Sequence, residues 1–348
     1  MMDVSAKSRN TARKNAVYIS VTAVIILAVA LYIFIKYDAA RVLTTISGVN
    51  PLFVTAGLSM LFVQLYSESF CYGILLRKAG IKKKLSRLSG YAGTDLFYSN
   101  ISPAQLAGLP AAGVAMYRDG VSVSASCPCL AAYSMCNRFA ALVIASASAA
   151  AFPYIITGSG SALFLTLFVY GAAVNLAIVG LFVVALFSES ASRAVIGFVM
   201  RLLGKIKFLK ISSSQEDIDR ISYDYISAAA MMRTSPLTGI SVLAVCVFKR
   251  IANFAVVYFA YRAFGLGSES FFYIVAVQSV LAVSAESVPI PGSAGVSEAM
   301  FTVLYGDIFG ARLYIAAMII VRAMNYFALL LVSGGYSYWL HCSSERRV

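Results

Sequence analysis

Apolar residues in this chain run in long, nearly unbroken blocks, and the polar residues gather in short intervals between them. The blocks lie at about 17–36, 51–76, 124–156, 161–187, 237–263, 270–286 and 312–339. Most reach the roughly 20 residues that an α-helix needs to span a bilayer's hydrocarbon core. Their continuity excludes a β-barrel, whose strands alternate apolar and polar positions. The pattern predicts an all-α polytopic membrane protein with about eight transmembrane crossings, broken or re-entrant segments included, arranged as two pseudo-repeated halves.

The polar intervals divide the chain. A basic N-terminus (1–16) precedes a first transmembrane half (17–188), an amphipathic cytoplasmic linker (189–236), a second transmembrane half (237–340) and a C-terminal tail (341–348). The loop 77–87 carries Arg77, Lys78, Lys82, Lys83, Lys84 and Arg87 with no acid among them, so the positive-inside rule puts it, like the N-terminus, on the cytoplasmic side. In the linker, SRAVIGFVMRLLGKIKFLK alternates basic with apolar residues, which suits either a helix lying in the headgroup plane or a short cytoplasmic helix packed on other loops.

Two intervals do not read as plain spans. Residues 88–120 are moderately apolar yet hold Asp95, Asn100, Pro103, Pro110 and several glycines, and SVPIPGSAGVSEAM, from Ser287, places prolines, glycines and Glu298 between two apolar blocks. Proline and glycine break helices, and irregular backbone at membrane depth survives only where protein or a water-filled cavity covers it. NISPAQLAGLPAAGVAM and ESVPIPGSAGVSEAM resemble each other, both passing from Ser and Pro through a Gly/Pro break to Gly-Val and a Met. Arg138 follows Gly113 by 25 residues and Arg322 follows Gly295 by 27. Interrupted helices in corresponding positions of two halves point to a transporter site. If the second broken segment completes a crossing, the chain crosses eight times and Arg346 and Arg347 end on the cytoplasmic side, which is the expected route.

Charge sharpens this picture. Arg138, Lys249, Arg250 and Arg322 fall inside apolar blocks, as do Glu68 and Asp95. Each costs roughly 2.5–3.5 kcal/mol at a helix centre, so they are expected to face a bundle interior or a cavity. There they either pair with carboxylates such as Glu298 and lock helices, or hold an anionic ligand such as a lipid phosphate. Lys249 and Arg250 have a further option, snorkelling to the interface.

Composition fits the membrane class and removes others. Charged residues make up 12% of the chain, against about 25% in soluble domains, and the mean hydropathy is +0.81. The net charge of +13 is assigned to anionic lipid headgroups rather than nucleic acid, because no basic soluble domain is left over to bind it. Six cysteines lie mostly in apolar blocks, and Cys127-Pro128-Cys129 lacks the C-x-x-C spacing of a zinc or redox site. With one histidine, His341, no metal or other cofactor is expected. No G-x-S-x-G, P-loop or second histidine supports catalysis, so no enzyme activity is expected.

PIPGSAGVSEAM followed by FTVLYGDIFGARLYIAAMIIVRAMNYF resembles the hallmark of the lysylphosphatidylglycerol synthase transmembrane family. Pro289, Pro291, Gly292, Gly295, Val296, Glu298, Gly310 and Arg322 match its pattern in order. In the first half Pro103, Gly108, Pro110, Gly120 and Arg138 match, while Leu109 stands where a Glu is common and Asn137 replaces an acid. The resemblance covers about residues 15–340. It implies a lipid flippase or flippase-like protein of the plasma membrane, whose partner is a membrane phospholipid or glycolipid. The separate aminoacyltransferase domain of two-part relatives is not expected here, and a homo-oligomer or a separate lipid-modifying enzyme stays open as a partner. The expected lipid site comprises Pro289, Pro291, Gly292, Gly295, Glu298, Arg322, Arg138, Pro103, Gly108, Lys249 and Arg250, with the helix N-terminus after Gly295 receiving a phosphate. A small-solute or ion transporter, and a non-transporting subunit of a lipid-modifying or glycosylation pathway, are the alternatives.

Overall fold

The computed structural model describes residues 47–157, 162–188, 235–293 and 295–345, with isolated positions 45, 190, 223 and 230. The expected first crossing at 17–36 and the amphipathic linker lie outside the described residues. Residues 50–348 form one compact unit, and the description below concerns that unit.

Helix α1 (Pro51–Lys78) begins where Asn50 accepts a hydrogen bond from the Leu52 N–H at 2.9 Å, with Pro51 in the first turn. It ends at Arg77 and Lys78, whose charge suits a helix C-terminus, and Gly80 at φ 78° turns the chain. Then come α2 (Leu85–Ile101), a short 3₁₀ turn (Pro103–Gln105), α3 (Gly108–Arg118), α4 (Val123–Ala151) and α5 (Ala162–Phe187). The second half repeats this order with α6 (Pro236–Ala263), α7 (Phe271–Glu286), a 3₁₀ turn (Pro291–Ser293), α8 (Val296–Phe309), α9 (Tyr314–Arg322), a π-helical turn (Ala323–Ala328) and α10 (Leu329–Glu345). Among the described residues there is no strand. Val123–Ala151, Phe164–Val184, Pro236–Ala263 and Tyr314–Ser343 are long and apolar enough to cross a membrane.

The two halves are built alike. Helices α1 and α6, each 28 residues long, pack antiparallel: the Asn50 N–H donates to the Ala263 carbonyl at one end, and the Cys71 Sγ lies 3.8 Å from that of Cys246 near the other. Around this pair, α2 packs on α10 of the other half, and α7 packs on α4. This exchange of equivalent neighbours gives the bundle its pseudo-two-fold character.

Each broken segment is a helical hairpin. At the first, Lys83, just before α2, donates to the Asp119 carbonyl at 2.6 Å, just after α3, and Tyr91 donates to the Asp119 carboxylate at 2.5 Å. Both ends of this hairpin therefore lie at the basic end of the bundle, where Arg87 also bonds Ser343 of α10. The second hairpin enters from the far end. Phe309, closing α8, packs its ring on Tyr261 and Phe264 at the end of α6, the end from which α7 starts. The expectation that the second broken segment runs through as a crossing is thus corrected: α7 and α8 double back, and α9–α10 carries the chain to the basic end. The expected placement of Arg346 and Arg347 lies outside the described residues. The physical reason is the length of the arms, since α3 has 11 residues and α8 has 14, about 16 and 21 Å of helix against a hydrocarbon core of about 30 Å.

The hairpin tips meet halfway along the bundle, where the two 3₁₀ turns pack together. All the non-glycine residues with left-handed backbone among the described residues, Ala104, Gln105 and Ser293, lie in these tips, and Gly292 joins them at φ 59°. The repeat is therefore in register as Pro103-Ala104-Gln105 with Pro291-Gly292-Ser293. The Gly-Val pairing suggested by sequence does not hold, because Gly113 lies inside α3 whereas Gly295 caps α8.

Candidate functional site

Between the tips and the α1–α6 pair lies a cavity of about 200 Å³. Its wall carries charged side chains from six helices: Glu68 of α1, Asp95 of α2, Arg138 of α4, Lys249 and Arg250 of α6, Glu286 of α7 and Arg322 of α9. Helical spacing explains the placement on α6, where Lys249, Arg250 and Asn253 fall on the turn facing inward, as Gln64 and Glu68 do on α1.

Three of the four cations are committed to carboxylates. Lys249 pairs with Glu68 and donates to the Tyr133 hydroxyl at 2.5 Å, and Tyr133 in turn donates to Glu68 at 2.6 Å. Arg250 shares its Nη1 between the two oxygens of Glu286, at 3.0 and 3.1 Å, and donates through Nε to Asn137 at 3.1 Å. Arg322 pairs with Glu298 at 2.8 Å, donates to the Gly292 carbonyl at 3.1 Å and bonds the Ser297 hydroxyl. It fastens the second tip to α9.

Arg138 differs. Among the described residues it makes one hydrogen bond, to the Asn175 side-chain oxygen of α5 at 3.0 Å, and no carboxylate lies within ion-pair distance. Asn175 is itself fixed, donating to the Gly171 carbonyl at 2.8 Å and to Ser287 at 3.0 Å. Asp95 is the counterpart of Arg138. Its carboxylate accepts from Tyr72 at 2.6 Å and Ser99 at 3.0 Å and meets no cation within ion-pair distance among the described residues. Among the described residues, the buried Gln64 Nε2 and Asn325 Oδ1, both of the cavity wall, have no hydrogen-bond partner.

The expected site residues divide accordingly. Arg138, Lys249, Arg250, Gly292 and Arg322 line the cavity, so the alternative of Lys249 and Arg250 snorkelling to an interface is set aside. Pro103, Gly108, Pro289, Gly295 and Glu298 do not line it and instead shape the hairpins. Gly108 opens α3 against Asp95 and Ser99, where a Cβ would collide with both side chains. Pro103 and Pro291 open the two 3₁₀ turns, and exposed Pro289 precedes the second. At the start of α8 the Gly295 N–H donates to Glu298 at 2.6 Å, so the protein's own carboxylate takes the place expected for a phosphate.

A family model for the lysylphosphatidylglycerol synthase TM region matches residues 19–333, which take in both hairpins and every residue of the cavity wall. The chain belongs to the lysylphosphatidylglycerol synthase transmembrane family. None of the curated proteins compared with it matches. Within this family member, sequence reasoning left Glu286, Asn137, Tyr133 and Gln64 out of the expected set, and noted Glu68 and Asp95 only as embedded charges. The signal for Glu286 was present, since a carboxylate closing an apolar helix needs a partner.

Proposed function

We propose that this protein binds the phosphate of an anionic phospholipid or glycolipid headgroup in the cavity between the hairpin tips and carries it across the membrane, with Arg138 as the phosphate-binding cation. The observation that carries the reading is the missing carboxylate partner of Arg138 beside three cations that each have one. A cation held away from water without a counter-charge is costly, and an anionic ligand supplies that charge. In this reading the two hairpins are re-entrant segments entering from opposite sides of the plasma membrane. The end bearing Lys82, Lys83 and Lys84 faces the cytoplasm, where basic loops accumulate. The chain acts as a carrier rather than an enzyme, since Glu68, Lys249 and Glu286 are tied up in ion pairs rather than poised to transfer protons to a substrate.

The test compares Arg138→Gln with the wild type by native mass spectrometry of co-purified lipid and by thermal denaturation of the same preparation. Glutamine removes the charge and strands no carboxylate, so the expected result is loss of most retained anionic lipid with a nearly unchanged melting temperature. Undiminished lipid would defeat the phosphate role and favour a non-transporting subunit, the reading to which the three internal ion pairs lend themselves.

A further inference from the structure

Among the described residues, the cavity holds one cation without a carboxylate in ion-pair contact, Arg138, and one carboxylate without a cation in ion-pair contact, Asp95. Every other charge in its wall is neutralised by a neighbour in direct contact. While the cavity contains no anion, the positive charge of Arg138 favours an ionised Asp95, because net charge is expensive in a region of low dielectric constant. An anion that takes Arg138 leaves Asp95 as a second, uncompensated negative charge in the same space. The surplus is removed most simply by a proton.

We infer that Asp95 is a proton-binding carboxyl that takes up one proton from solvent when an anion binds beside Arg138, so that anion and proton enter the cavity together. The inference rests on the anionic-ligand reading above. The groups around Asp95 favour this role. From α1, Tyr72 donates to its Oδ2, and the Glu68 carboxyl comes within hydrogen-bonding reach of Asp95 itself, with the Tyr72 hydroxyl 3.4 Å from the Glu68 Oε1. From α4, Tyr133 donates to Glu68, and from α6, Lys249 neutralises Glu68. The chain of side chains Asp95–Tyr72–Glu68–Tyr133–Lys249 thus carries two carboxylates against one cation, an imbalance that disfavours an ionised Asp95 unless Arg138 is free to offset it. Arg250 and Glu286 satisfy each other, and Arg322 is committed to Glu298. On its own helix Asp95 meets Ser99, and α3 approaches it through Gly108; both are uncharged. The Gln64 amide nitrogen, on a residue 2% exposed and without a hydrogen-bond partner among the described residues, is a second sign of a small polar occupant in the cavity. A metal ion is a poor candidate, because among the described residues no three His, Cys, Asp or Glu side chains are grouped to hold one.

The experiment is isothermal calorimetry on the full-length protein in detergent, titrated with dihexanoylphosphatidylglycerol and, separately, with chain-free glycerophosphoglycerol. Both carry a phosphodiester that does not titrate near neutral pH, and the two arms distinguish a lipid from a free phosphodiester. Each titration is repeated in buffers of different ionisation enthalpy, so that the buffer dependence of the heat counts protons. For wild type the expected result is uptake approaching one proton per bound anion, with affinity falling about tenfold per unit rise in pH above the titration of Asp95 in the empty protein. Asp95→Asn, which preserves an acceptor for Tyr72, should bind with no proton uptake and a flat pH profile. Wild-type binding with buffer-independent heat, or proton uptake that persists in Asp95→Asn, would overturn the inference and leave the anion site standing. No binding of either probe at any pH would overturn the anion reading and the proton with it.

Discussion

Lys249 and Glu68 show how a charge is tolerated at the centre of this bundle. The two side chains are nearly fully buried, and Tyr133 hydrogen-bonds both. Removing one member leaves the other as an uncompensated buried charge, which costs roughly 3–5 kcal/mol. Lys249→Met is therefore expected to lower the melting temperature of the purified protein sharply, and adding Glu68→Gln to it should recover most of the loss. A double variant no more stable than Lys249→Met would mean that the pair does not hold α1 to α6. Arg322→Gln should behave like Lys249→Met, because it strands Glu298 and frees the Gly292 carbonyl. Arg138→Gln should leave stability alone. The four cations were legible in the sequence as a set, since each interrupts an apolar block. Which one lacks an anion was not, because its pairing depends on α5 and α7 arriving beside α4.

At the scale of elements, glycine marks two close approaches with different consequences. Gly171 on α5 sits against the backbone of α7, where a Cβ would strike the Val283 carbonyl. Backbone cannot rotate aside, so Gly171→Ala should push the helices apart at a cost of about 1–3 kcal/mol. It should also weaken lipid retention, because Asn175, one turn further along α5, holds Arg138. A variant with wild-type lipid retention would separate α5 packing from the site. Gly292, at φ 59°, has the Tyr326 ring where its Cβ would be, the nearest ring atom at 2.6 Å. Gly292→Ala should therefore destabilise by more than the roughly 1–2 kcal/mol of left-handed backbone alone, as read by chemical denaturation. The breaks themselves were readable from Pro103, Pro291 and Gly292. Their register was not, because Ala104, Gln105 and Ser293 take left-handed backbone without a sequence that demands it, held there by the opposing tip.

For the whole molecule, the hairpin geometry makes a prediction about sidedness that a run of continuous crossings does not. In a background without the native cysteines, Glu269→Cys before α7 and Arg312→Cys after α8 should react with an impermeant thiol reagent from one side of the membrane. Lys82→Cys and Gly120→Cys, flanking the first hairpin, should react from the other. Reaction of positions 269 and 312 from opposite sides would show that α7–α8 passes through, and would remove the shared cavity.

The sequence by itself determined that the chain is helical and membrane-embedded, that it interrupts itself twice, and that it carries charges inside its apolar blocks. These follow from local chemistry: apolar run length, the backbone limits of proline and glycine, and the cost of charge in hydrocarbon. Tertiary structure alone decided that α7 and α8 fold back, that Glu298 rather than a ligand caps α8, and that Arg138 and Asp95 are left as the unmatched pair of one cavity. Each depends on a partner distant in sequence, Asn175 for Arg138 and Tyr72 for Asp95 among them. A local pattern shows that a buried charge needs a partner, whereas only the packed bundle shows which partner is within reach.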